Sequence, residues 1–304
     1  MPSWQARCFR VAIRVLMRRL TWGDDRALAR RARRVFGAPG PLQWLRTRAV
    51  RIEPVRNGRI RGEWIRAAGS AHGVILYFHA GGYVAGSPAS DRPITAGLAR
   101  LAGRRVFSLD YRLAPEHRFP AALHDAVAAY RWLLDQGISP GSLALAGTSA
   151  GGGLVLATLL RVRDDGLPRP ACAVAFSPWT DLAGTGASLQ ANDGRCPTFR
   201  PANIPAFARI YLGGASPRDP YASPVFADLG GLPPILLQAS SNELLLDDAR
   251  RVHDTIGQTG GISRLEIFDD LFHAWPMLDG FMPEARVALQ QAAAFMNASA
   301  VAAR

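Results

Sequence analysis

The sequence predicts an α/β fold, a mostly parallel sheet flanked by helices with a helical cap. Three observations carry that prediction. From residue 73 to residue 297, apolar runs suited to strands alternate with helix-period segments, the pattern of βαβ units and a helix-covered parallel sheet. Residues 50–55 and 60–65 alternate apolar and polar around Asn57-Gly58, a hairpin signal that adds antiparallel strands at one edge. Residues 143–156 read as an apolar strand, a glycine-flanked turn with one serine at its apex, and an apolar helix.

In chain order, residues 4–20 have helical periodicity. Trp4, Cys8, Val11 and Val15 fall on one face, with Phe9, Ile13, Leu16 and Leu20 beside it and Arg7, Arg10, Arg14 and Arg18 opposite. A second arginine-rich helix is expected over residues 24–36, ended by Gly37-Ala38-Pro39-Gly40-Pro41. After the hairpin, residues 73–79 form a continuous apolar run, suited to a strand buried on both faces. Helices are expected at 92–102, 121–134, 150–162, 244–255 and 282–297, and strands at 105–109, 142–146, 171–177, 234–239 and 264–268. Between Ser177 and Pro234 the rhythm breaks into a Gly/Pro-punctuated stretch with one helical piece at 204–211. Loops of that length are usually functional. The division expected is residues 1–48 as the N-terminal part of the cap, 49–182 and 223–304 as the core, and 183–222 as the insertion that completes the cap.

The 304 residues are 48% hydrophobic and 20% charged, an ordinary globular composition. The net charge of +12 is localised. All 36 basic residues are arginine, and residues 1–66 hold 17 of them against Asp24, Asp25, Glu53 and Glu63. The remainder is electroneutral to within one charge, which argues against nucleic acid as a partner. The basic N-terminal helix is expected to pack its apolar face on its own chain, in preference to lying on a membrane. A homodimer is compatible with the sequence. Cys8, Cys172 and Cys196 have no metal-ligand spacing, and an odd, sparse set fits reduced thiols. No apolar run approaches the roughly 20 residues of a membrane span, and arginines interrupt any signal-peptide core at the N-terminus. The expected location is cytoplasmic.

Gly147-Thr148-Ser149-Ala150-Gly151 fits G-x-S-x-G, the nucleophile elbow. Glycines two residues either side of the serine relieve the crowding of a tight strand-to-helix turn, and the helix N-terminus aims unpaired N–H groups at whatever the serine attacks. Attack on an ester carbonyl makes an oxyanion that needs backbone donors. His79-Ala80-Gly81-Gly82-Tyr83, directly after the first buried strand, supplies them. With the residue following the nucleophile, the expected donors are Gly81, Gly82 and Ala150.

Those two motifs, in order with Asp110-Tyr111-Arg112-Leu113-Ala114-Pro115-Glu116-His117 between them, resemble the hormone-sensitive-lipase family of α/β-hydrolase esterases. They are most similar to its bacterial branch with Thr before the serine. The resemblance runs from about residue 50 to 297. It implies an α/β-hydrolase fold with an eight-stranded sheet, a cap built from the N-terminus and the insertion before strand seven, and carboxylesterase activity on short-to-medium acyl esters without cofactor or metal.

The base and acid must follow the serine in the order acid, then His. His273 sits in the loop after the last strand, where the fold and the family both put the base. His72, His117, His124 and His253 lie before strands or within helices, and His79 belongs to the oxyanion loop. For the acid, most of the family has Asp-x-Leu-x-Asp after strand seven. This chain has Ser241-Asn242-Glu243-Leu244-Leu245-Leu246-Asp247-Asp248. Aligned on the leucine, Glu243 takes the acid's position, with Asp247, Asp269 and Asp270 as alternatives. Ala80 departs from the family's first glycine and requires a negative φ. Asp110, Arg112 and Glu116 are expected to brace the oxyanion loop. Tyr83, Trp179 and Trp275 are candidate substrate-binding aromatics that fit acyl-pocket walls or core equally. The expected function is a serine carboxylesterase acting on a small-molecule ester, lactones included as cyclic esters. The alternatives are a transacylase using the same site and a catalytically silent ligand-binding protein of the same fold.

Overall fold

The computed structural model describes residues 1–18, 24–37, 47–70 and 73–302. Leu20, His72 and the terminator at 38–41 lie outside the described residues. Eight strands form one sheet: β1 (Val50–Asn57), β2 (Ile60–Ala67), β3 (Val74–Phe78), β4 (Arg105–Leu109), β5 (Leu143–Thr148), β6 (Cys172–Phe176), β7 (Ile235–Ser240) and β8 (Ser263–Phe268). Their spatial order is β1-β2-β4-β3-β5-β6-β7-β8. The hairpin β1–β2 is antiparallel and β2 joins β4 antiparallel, while β3 to β8 run parallel.

Alternation along the central strands sorts the core into two layers. Val74, Leu76 and Phe78 of β3 and Leu143 and Leu145 of β5 face one side. There they meet α4 (Ala121–Asp135), α5 (Ala150–Asp164) and α8 (Leu246–Gln258). Ile75, Tyr77, Ala144 and Ala146 face the other side, covered by α3 (Arg92–Ala102) and α9 (Pro283–Ala302). Side chains of successive strand residues point to opposite faces, so a five-residue strand with no polar position, such as β3, is one buried on both.

Two helices precede the sheet, α1 (Trp4–Arg18) and α2 (Asp25–Phe36), the latter capped by Asp24, whose side chain accepts the N–H of Ala27 at 2.7 Å. The packing of α1 corrects the sequence expectation. Its stripe against the body is Ala6 and Met17, with Phe9 and Ile13 partly buried between them. Trp4, Cys8, Val11, Val15 and Leu16 are exposed. The small Ala6 lets the helix approach the cluster of Leu271, Phe272 and Trp275, and Ser3 secures its start by donating from N and Oγ to Glu284 at 2.5 and 2.9 Å. The arginines are also not uniformly solvated, because Arg10 pairs with Asp270 and Arg14 Nη1 donates to the Gly194 carbonyl at 2.8 Å. None of the helices among the described residues is long and apolar enough to cross a membrane.

The long stretch between β6 and β7 contains α6 (Ser188–Ala191) and α7 (Asn203–Leu212). Buried polar anchors fix it. Asp248 Oδ2 accepts the N–H groups of Thr180 and Asp181 at 2.6 and 2.8 Å. Asp181 Oδ2 in turn accepts Thr185 N–H at 2.8 Å and pairs with Arg251 at 2.7 Å.

Burial pushes the Asp248 carboxyl from 3.8 up to about 8, against the two N–H donors that favour its anion. A raised folded-state pKa stabilises the fold fully below about pH 4, and that contribution is lost as pH rises toward about 8. Asp248→Asn keeps an acceptor and stays neutral. Urea unfolding at about pH 5 and about pH 8 is expected to show wild type losing more stability than the variant across that window. Equal losses would contradict the assignment.

Candidate active site

All the site's elements meet at the carboxyl edge of the parallel strands. Ser149 follows β5 directly and starts α5 at φ 58°, ψ −119°, a conformation L-residues rarely adopt. Close packing holds it there. A Cβ on Gly147 would lie 2.3 Å from the Gly151 carbonyl oxygen, and one on Gly151 only 2.1 Å from that of Phe78. Ser149 N–H donates to the Phe176 carbonyl at 2.9 Å, and its own carbonyl accepts Trp179 N–H at 2.9 Å.

His273 lies in the loop after β8. Its Nε2 is 2.8 Å from Ser149 Oγ, and its Nδ1 is 2.7 Å from Glu243 Oε2. An ionised carboxylate only accepts, so Nδ1 carries the proton, Nε2 is the acceptor and the serine hydroxyl donates. Glu243 is fully buried, and Oε1 accepts Ser240 N–H at 2.7 Å. Asn192 Nδ2 donates to the carbonyls of Ser241 and Glu243 at 3.0 and 2.9 Å, so the insertion holds the turn that bears the carboxylate. The loops after β7 and β8 are tied by Leu271 N–H to Ser240 Oγ at 3.1 Å and Asp270 N–H to Ser241 Oγ at 2.9 Å.

The structure therefore brings Ser149, His273 and Glu243 together, and does not bring the alternative acids to the imidazole. Asp247 accepts Ser188 N–H at 2.7 Å, and Asp270 is engaged by Arg10 and Asn242. Among the described residues nothing joins Asp247, Asp269 or Asp270 to His273. The remaining described histidines sit elsewhere. His79 is buried, and loss of solvation lowers it to about 4. Its Nδ1 lies 2.8 Å from the Ala80 carbonyl, and its ring stacks on Tyr111.

Gly81 has φ 131° and Gly82 φ 62°. A Cβ would meet the Ala85 carbonyl oxygen at 2.1 Å in the first case and Phe207 Cδ1 at 2.7 Å in the second. Ala80 is not among the positive-φ residues, which accommodates its departure from glycine. Gly81, Gly82 and Ser149 border one cavity of about 470 Å³, with Ala150 following at the first position of α5. The loop's brace differs from expectation in its partners. Glu116 pairs with Arg33 of α2, which also donates to the carbonyls of Val84 and Ala114 at 2.9 and 3.0 Å. Arg112 pairs instead with Asp125.

The cavity walls are apolar. Phe9 of α1, Phe36 of α2, Phe199 and Phe207 of the stretch between β6 and β7, and Phe281 before α9 contribute, and the rings of Phe199 and His273 meet edge to face with centroids 5.3 Å apart. Of the three candidate substrate-binding aromatics, Trp179 lines the cavity. Tyr83 is buried behind it, stacked on Tyr211 at 3.9 Å, and Trp275 is buried against Phe268. No group of three or more His, Cys, Asp or Glu side chains suited to a metal occurs among the described residues.

Sequence reasoning missed Asp91. This buried carboxylate accepts Ala80 N–H at 3.0 Å and Tyr77 Oη–H at 2.9 Å, while Tyr77 Oη lies 2.8 Å from Thr148 Oγ1. Burial raises it to about 6. The chain Ala80–Asp91–Tyr77–Thr148 thus couples the loop of Gly81 and Gly82 to the residue before Ser149. The available signal was an Asp one residue before a Pro-initiated helix, which reads as an ordinary cap.

A family described as having the alpha/beta hydrolase fold matches residues 75–277. An acetyl-hydrolase of Streptomyces hygroscopicus is 45% identical over 240 residues, covering 79% of this chain and 80% of that protein. The crystal structure of an esterase from the bacterial hormone-sensitive lipase family is 37% identical, covers 99% of both chains and superposes with a TM-score of 0.90. That of EstE5 soaked with p-nitrophenyl butyrate is 38% identical, covers 98% of this chain and 99% of its own, and gives 0.89.

Two glycine substitutions test how tightly the elbow is packed. Gly151→Ala is expected to cost about 2–4 kcal/mol in urea unfolding, since backbone carbonyls must move. At Gly257 of α8 a Cβ would meet nothing within 4 Å, and Gly257→Ala is expected to be neutral or stabilising by about 0.5–1 kcal/mol. Equal effects would show that contact at the elbow is not limiting.

Proposed function

Since the chain belongs to the hormone-sensitive-lipase family of α/β-hydrolases and is a carboxylic ester hydrolase, we propose that it cleaves short-to-medium acyl esters through an acyl-enzyme on Ser149. The observation that carries this reading is the unbroken hydrogen-bond chain from Ser149 Oγ through His273 to buried Glu243, at 2.8 and 2.7 Å. Ser149 Oγ attacks the acyl carbon as its proton passes to Nε2. Glu243 keeps the imidazole in the required tautomer and stabilises the imidazolium. The N–H groups of Gly81, Gly82 and Ala150 take the oxyanion, each worth about 3 kcal/mol of transition-state stabilisation. Collapse breaks the ester C–O bond, and His273 protonates the departing alcohol. Water then gives its proton to His273 and attacks the acyl-enzyme, releasing the carboxylic acid and restoring Ser149.

Residues 1–48 and 183–222 serve as the cap in this reading. Support comes from Phe9, Phe36, Phe199 and Phe207, which those segments place on the cavity wall. A volume near 470 Å³ falls in the lower half of the ~300–1,000 Å³ typical of ligand sites, and its phenylalanine walls suit an acyl chain better than a polar one. Lactones fall within the same chemistry because the bond cleaved is the same.

A series of p-nitrophenyl esters from acetate to palmitate tests the reading. Hydrolysis of the short chains is expected, with kcat/KM falling beyond about eight carbons as the cavity fills. Ser149→Ala is expected to lower kcat by about 10⁵-fold or more. Glu243→Gln should lower it by about 10³–10⁴-fold with KM little changed. Turnover by Ser149→Ala at a wild-type rate, or a Glu243→Gln enzyme of normal kcat, would refute the assigned roles.

A further inference from the structure

We infer that the outer face of α1 is a docking surface for an anionic lipid bilayer. Large apolar side chains are exposed unevenly over the described residues. Ile262, Ile267 and Val287 are scattered over the core, whereas Trp4, Val11, Val15 and Leu16 share one helix. At 100° per residue they cluster. Val11, Trp4, Val15 and Cys8 lie within about 60° of one another, with Ala12 and Leu16 continuing the arc, and Arg7 and Arg14 border the opposite edge. Trp4 is 65% exposed, Val11 61% and Leu16 62%. A packed helix normally turns such a stripe inward. Here Ala6, Phe9, Ile13 and Met17 already occupy the inner face, so the outer stripe is a second apolar face on the same helix.

Charge identifies the occupant. α1 contains no acidic residue, and α2 contains one, Asp25, which pairs with Arg209. Arg30, Arg31 and Arg34 on α2 are exposed. A Trp at one end, aliphatic side chains in the middle and arginines at the edge match the depth profile of an interfacial helix on anionic lipid. A second copy fits poorly, because a two-fold axis on this face would set arginine against arginine. Both helices also border the reaction cavity, through Phe9 of α1 and Val35 and Phe36 of α2. Docking by this face therefore sets a helix that borders the cavity on the lipid, where apolar esters partition.

Co-sedimentation of the full chain with phosphatidylcholine vesicles, with and without about a third phosphatidylglycerol, tests the inference. Binding is expected to be at least about tenfold stronger to the anionic vesicles and to weaken in high salt. The double variant Val11→Glu, Leu16→Glu should lose that binding while hydrolysing p-nitrophenyl acetate normally, since neither side chain borders the cavity. Ile262→Glu, a control of similar exposure at a distant site, should bind as wild type. Absence of binding to anionic vesicles at low salt overturns the inference, as does binding that the double variant retains. So does a dimer that the double variant dissociates in a protein that ignores vesicles, which would assign the face to a second copy.

Discussion

Ser149 is held at φ 58° and ψ −119°, a conformation costing a non-glycine residue about 1–3 kcal/mol, and the neighbouring backbone is arranged to keep it there. β5 and α5 meet through Gly147 and Gly151, each with a carbonyl oxygen within 2.3 Å of where a Cβ would stand. The serine's N–H and carbonyl are both bound by the chain at the end of β6 and just beyond it. The sheet thus acts as the rigid member that lifts one hydroxyl out of its carboxyl edge. The loops after β3, β7 and β8 need only reach the same edge.

Buried polar groups tie those loops to one another. Asp91 links the glycine loop after β3, through Tyr77, to Thr148 beside Ser149. Asn192 supports the backbone of the Glu243 turn, and Asp248 pins the start of the insertion from which Asn192 comes. A buried, fully partnered polar group has few alternative geometries, which is what a site needing alignment to within a few tenths of an ångström requires. The insertion therefore both walls the cavity and holds the turn that bears Glu243, so a change in its sequence reaches the Ser149–His273–Glu243 hydrogen bonds as well as the cavity wall.

The parts of the molecule legible in the sequence were those set by local physics. An unbroken apolar run such as Val74–Phe78 suits a strand covered on both faces, Asn57-Gly58 suits a tight hairpin, and Ser149 between glycines suits a sharp strand–helix turn. Helix ends fell within a few residues of expectation, and α3 and β4 coincided with it. Features set by tertiary contact stayed hidden. The cavity phenylalanines come from segments that converge only in the folded chain. Arg33, which braces the loop after β3 through the Val84 carbonyl, is one of 17 arginines in a single stretch. α1 carries apolar residues on two faces, and which of them packs depends on the partner's shape. Its partner takes the small Ala6 and leaves Trp4 outside.

The proposed chemistry stands or falls with Ser149 as the nucleophile, activated through His273. The most direct measurement is peptide mass mapping after a fluorophosphonate reacts with the native protein. One phosphonyl group per chain is expected, carried on the peptide containing Ser149, with parallel loss of ester hydrolysis and no adduct in Ser149→Ala. An adduct on another residue, or full inhibition with Ser149 unmodified, would contradict it.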